Sequence, residues 1–149
     1  MKKRFLLLLC ASSLFGCANM HKLDSKNQGK HIELARDLTR ARSTGVAGIK
    51  GLFPITWIEG VFSGEYVAEG QDAEGIYYWN TKCCIAMEKR GKMFASMHGW
   101  DCGIWVPNDK NDIVRTYYHD NESPFSYIGW FVDFTYQQFE LSLKQAPTE

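Results

Sequence analysis

The spacing of apolar positions changes character near residue 45. Over residues 31–42, Ile32, Leu34, Ala35, Leu38 and Ala41 recur at intervals of three and four, which predicts a short amphipathic helix over 31–44, ending at Ser43-Thr44-Gly45. Arg36, Arg40 and Arg42 would form its solvated face. Beyond Gly45 the helical period gives way to β-branched and aromatic residues, punctuated by Gly, Pro and Asn-Asp clusters, so residues 45–144 read as a β domain. The first strands fall at 46–50 and 55–67, with Gly60 and Gly64 marking bends. Residues 68–75 read as a polar acidic loop. Over 76–87 the alternation puts Tyr77, Trp79, Thr81, Cys83, Ile85 and Met87 on one face, the expected core side. A charged turn at 88–92 precedes strands at 93–97 and 100–106. The loop 107–112 then returns the chain along 113–118 as a hairpin. Ile128, Trp130, Val132, Phe134 and Tyr136 alternate in a further strand, and Phe139, Leu141 and Leu143 extend a last one before the 145–149 tail. The fold class predicted is mainly β, an antiparallel sandwich or partly open barrel with one short N-terminal helix.

The amino end has a different logic. Met1-Lys2-Lys3-Arg4 is cationic, residues 5–15 are apolar, and Gly16 precedes Cys17, the order of a secretory signal over 1–16 that is too short to span a bilayer. Leu14-Phe15-Gly16-Cys17 resembles the lipobox of bacterial lipoproteins. That resemblance implies acylation of Cys17, with palmitate or similar chains on its sulfur and, after cleavage, on its amine. It also implies a periplasm-facing protein in the cell envelope, with Ala18 at the next position favouring the outer membrane. Several acyl chains together hold a protein at a bilayer effectively permanently. Residues 18–30 are polar and without period, and read as a tether lifting the domain off the lipid.

Charge narrows the partner classes. The 149 residues carry 17 basic and 17 acidic side chains. Loss of Lys2, Lys3 and Arg4 with the leader leaves the remainder mildly acidic. No basic surplus tracks a phosphate backbone, so nucleic acid is not an expected partner. Between residues 51 and 81 there are five acids, Glu59, Glu65, Glu69, Asp72 and Glu74, and no Lys or Arg, interleaved with Trp57, Tyr66, Tyr77 and Tyr78. Such a region reads either as a solvated loop beside an ordinary core or as a docking surface. On the second reading the five acids steer a basic partner and Trp57 and Tyr66 serve as aromatic anchors.

Three cysteines remain after the leader and Cys17, and an oxidising periplasm makes a disulfide the expectation. Strand phase pairs Cys83 with Cys102, leaving Cys84 as an odd thiol; a bulge near the pair would reverse the choice. A metal set of Cys83, Cys84, His98 and Cys102 is disfavoured because adjacent strand residues point to opposite faces. The acids and amides of residues 109–122 lack the ordered spacing of a calcium loop. No cofactor is implied. Gly60-Val61-Phe62-Ser63-Gly64 is not a nucleophile elbow. Ser96, His98 and Asp101 lie too close along one segment to form a triad, and Glu59 with Glu65 reads as a pair of surface carboxylates. The chain is therefore not expected to be an enzyme.

The lipobox at Cys17, the short β-rich domain, and the strand over 75–85 ending in Cys83-Cys84 before a basic turn together resemble small proteobacterial lipoproteins. These accompany type VI secretion phospholipase effectors as their immunity proteins. The resemblance implies an envelope-tethered inhibitor that binds a lipase delivered into the periplasm and protects the producing cell. The other class in view is a non-catalytic envelope lipoprotein with a structural or binding role.

Overall fold

A computed structural model describes residues 20–44, 55–81, 84–90, 93–98, 101–119 and 128–145, with 42–44, 55–57, 84–90 and 93–98 described as backbone alone. Among the described residues, ten strands form two antiparallel sheets. The larger contains β1 (His31–Leu34), β4 (Gly64–Gln71), β5 (Gly75–Asn80), β8 (Cys102–Pro107), β9 (Ile113–His119) and β10 (Ile128–Thr135), in the order β1-β4-β5-β8-β9-β10. The smaller has the order β2-β3-β6-β7, from β2 (Leu38–Thr44), β3 (Ile55–Val61), β6 (Cys84–Arg90) and β7 (Met93–His98). One α-helix among the described residues, α1 (Tyr136–Ser142), follows β10. The mainly β, antiparallel architecture is as expected from the alternation, and neither sheet closes into a barrel.

The N-terminal helix is not formed. Residues 31–44 make two strands, β1 and β2, in different sheets. Spacings of two and four fit a strand as well as a helix. Here pairing with β4 and β3 supplies backbone hydrogen bonds that an isolated short helix would have to supply alone. Asp37 Oδ1 fixes the crossover by accepting from Ser63 N at 2.7 Å.

The expected terminal strand is a helix instead. Thr135 accepts from Gln138 N, and the Gln138 side chain accepts from Thr135 N, a reciprocal cap that starts α1. The helix buries Phe139 and Ser142 and leaves Leu141 exposed. Beyond it, Leu143 bridges Leu34, so the chain after β10 returns to cover the outer edge of β1.

Two cores result. Leu34, Leu38, Val61, Tyr66, Ile104, Val114, Val132, Phe134 and Phe139 form the one shared by both sheets and α1. The other lies on the opposite face of the large sheet and is aromatic: Tyr77, Trp105 and Tyr117 with Met20 and Ile128, flanked by Trp79 and Trp130. Both faces of β5 are therefore buried, Tyr78 in the first core and Tyr77 in the second, and the single core face expected over 76–87 is not found. The run also divides, since β5 and β6 belong to different sheets. In β10 a register shift at Phe131 turns Ile128 and Trp130 toward the aromatic core and Val132 and Phe134 toward the other.

Candidate functional site: the outer face of the large sheet

The aromatic face gathers the polar chemistry of the described residues. A bulge in β4 inserts Glu69 between Ala68, which pairs with Tyr78, and Gly70, which pairs with Tyr77. The extra residue delivers the Glu69 carboxylate over the aromatic face, where Oε1 accepts from Tyr117 OH at 2.7 Å and lies 2.7 Å from His119 Nε2. The His119 ring stacks on Trp79, with centroids 3.6 Å apart and planes 13° from parallel. One strand-turn away, Asp72 Oδ1 accepts from Glu74 N and Gly75 N, and Oδ2 accepts from Tyr77 OH at 2.8 Å and Trp105 Nε1 at 3.1 Å. Arg115 lies over Trp130, 4.2 Å from the ring centroid, and pairs with Asp133 at 3.2 Å. Gly103 makes room for this layer, because a Cβ there would collide with the Tyr117 ring and the Tyr78 carbonyl.

Burial raises the Tyr117 phenol well above its ordinary pKa, and the neighbouring Glu69 adds to the effect. Burial, and after it the Asp72 hydrogen bond, raises Tyr77. These hydroxyls are donors at all physiological pH. Among the described residues no buried side-chain nitrogen or oxygen lacks a partner.

The acids expected as one docking group are divided by the structure. Glu69 and Asp72 are half-buried and held by hydrogen bonds within the fold, Asp72 in the turn and Glu69 in β4, not in a loop over 68–75. Glu65 and Glu74 are exposed, and their carboxylates have no partner among the described residues. Glu59 is half-buried on β3, directly opposite Arg40 on β2. Tyr66 is fully buried, its hydroxyl donating to Phe62 O at 2.7 Å, so it is a core residue and not an exposed anchor. Trp57 is described as backbone alone, and Cys17 lies outside the described residues. Between Glu65 and Glu69, Val67 points outward and is 49% exposed. Cys102 is fully buried on β8 and disulfide-bonded; Cys83, its expected partner, lies outside the described residues.

Sequence reasoning missed Gln71. Its side chain accepts from Asp24 N at 2.8 Å and Asn27 Nδ2 at 2.9 Å and donates to Asp24 Oδ2 at 2.9 Å, while its backbone exchanges two hydrogen bonds with His21. The stretch 20–30, expected as a tether, is thereby folded onto the sheet. Met20 is buried against Gly70, and a 3-10 turn, Ser25–Asn27, buries Asn27. Polar composition hid this because the segment is held by hydrogen bonds more than by apolar area. Among the described residues no group of His, Cys, Asp and Glu is arranged to hold a metal ion, and no helix is long and apolar enough to cross a membrane. Comparison with known proteins finds no matching family model, no similar curated protein and no similar solved structure.

Proposed function

We propose that this chain is a lipid-anchored, periplasm-facing envelope protein that binds a type VI secretion phospholipase effector stoichiometrically and blocks it, protecting the producing cell. The lipobox resemblance at Cys17 supports the anchor, and the outward face of β4 supports the binding role. There Glu65 and Val67 stand side by side on one strand face, a free carboxylate next to an exposed apolar residue, with Glu74 at the following turn. Internal hydrogen bonds at both ends of β4 hold the strand, so little order is lost when a partner docks. A basic patch bordering the lipase entrance is the complementary surface, and binding there needs no turnover by this chain.

The direct test is titration of a type VI secretion phospholipase effector from the producing cell with the purified chain. Lipid hydrolysis should fall in proportion to added protein and reach zero near one equivalent. Unchanged hydrolysis in the presence of excess chain contradicts the proposal.

A further inference from the structure

Folding of residues 20–30 onto the sheet changes where the domain sits relative to its anchor. Met20 is buried and His21 is paired to Gln71, so the slack from Cys17 to the folded body is three residues, about 10 Å at full extension. A domain held by acyl chains on Cys17 must therefore rest against the bilayer with the 20–31 segment foremost. That segment is basic at its surface: Lys22, Lys26 and Lys30 are all exposed, and none of their ammonium groups has an acceptor among the described residues. Lys26 and Lys30 border a recess of about 470 Å³, together with Asp24, Gln71, Asp72 and Asn108. The two carboxylates of the recess keep their charge but are turned to neutral donors within the fold, Asp24 to Gln71 and Asp72 to Tyr77 and Trp105, whereas the lysine ammonium groups have no such acceptor. The segment itself carries these three lysines against one carboxylate, Asp24, and Glu74 is exposed at the neighbouring turn.

We infer that residues 20–31 form a membrane-docking ledge, in which Lys22, Lys26 and Lys30 engage the headgroups of anionic phospholipids and fix the orientation of the domain on the bilayer. The inference rests on the anchoring at Cys17 proposed above, and is independent of the lipase. A lysine held at an anionic surface raises the bound population roughly fivefold, and the effect vanishes within a Debye length. β4 ends at this ledge at Gln71, and Lys30 lies beside Ala68, so Glu65 is three residues, about 10 Å, along the strand from the nearest ledge lysine. Docking thus puts the Gln71 end of β4 nearest the lipid, with Glu65 at the far end of the strand.

The test is lysine acetylation of the full-length acylated protein by a membrane-impermeant reagent, read residue by residue by mass spectrometry. It compares detergent micelles, vesicles of phosphatidylethanolamine with phosphatidylglycerol, and vesicles of phosphatidylcholine alone. In the anionic vesicles Lys22, Lys26 and Lys30 should react at least about fivefold more slowly than in detergent, with Lys110 and Lys144 unchanged. Phosphatidylcholine vesicles or high salt should remove most of that protection. Equal reactivity in all three media, protection of all five lysines alike, or protection that persists undiminished on phosphatidylcholine would each overturn the ledge. Intact mass separates the two levels of failure: a chain lacking acyl groups refutes the anchor and the ledge with it, whereas an acylated chain with unprotected lysines refutes the ledge alone.

Discussion

Asp72 satisfies four donors with two oxygens, two of them the side chains of Tyr77 and Trp105, which are 1% and 6% exposed. Asp72→Ala leaves both donors without an acceptor beneath the aromatic layer, and should lower folding stability by about 3 kcal/mol in chemical denaturation. Reversal of Glu69 or Asp72 would consequently damage the fold and report nothing about docking. The tyrosines give a pH signature. Burial raises the phenols of Tyr66, Tyr77, Tyr78 and Tyr117 above their ordinary value. In the unfolded chain those phenols release protons from about pH 10, while the folded chain retains them. The folded state then binds more protons, so its stability falls as pH rises. The urea midpoint should be level between pH 7 and 9 and decline steadily from about pH 10; a midpoint unchanged to pH 11 would mean that these hydroxyls are solvated.

At the level of elements, bulges and caps decide what alternation leaves open. The hairpin of β8 and β9 around residues 107–112 and the strand at 128–135 were legible, because turn chemistry and a period of two agree there. Alternation does not reveal the extra residues at Glu69 and Phe131, each of which transfers the following side chains to the opposite face. Both cores of β5 escaped notice because a strand covered on two sides has no polar face to mark its phase. Residues 31–44 were misread since the spacing of Ile32, Leu34 and Leu38 satisfies two periods, and only the distant strands β3 and β4 choose between them. The capping box of Thr135 and Gln138, by contrast, was present in the sequence and outweighed the strand-like spacing of Phe139, Leu141 and Leu143. Thr135→Ala should cost about 1 kcal/mol of stability, measured by thermal or urea unfolding, and loosen α1 first in hydrogen exchange. Gly103→Ala should cost more, because Cβ meets a ring and a backbone carbonyl that are both buried.

For the whole molecule, two sheets share a core, and on the proposed reading the surfaces divide between the lysines of residues 20–31 toward the membrane and Glu65 with Val67 on β4. Glu65→Lys replaces an exposed carboxylate that lies directly opposite Glu33, so thermal stability should not fall while affinity for the lipase drops at least tenfold, measured by calorimetry. Unaltered affinity would move the docking surface off β4. The claim that the chain protects its own cell is tested most directly by survival in competition. A strain lacking this gene is mixed with its parent carrying an active type VI apparatus, and viable counts are followed. The account predicts a loss of at least about a hundredfold that the wild-type chain restores, and that disappears when the attacker's phospholipase is inactivated; equal survival of the deleted and parental strains would contradict it.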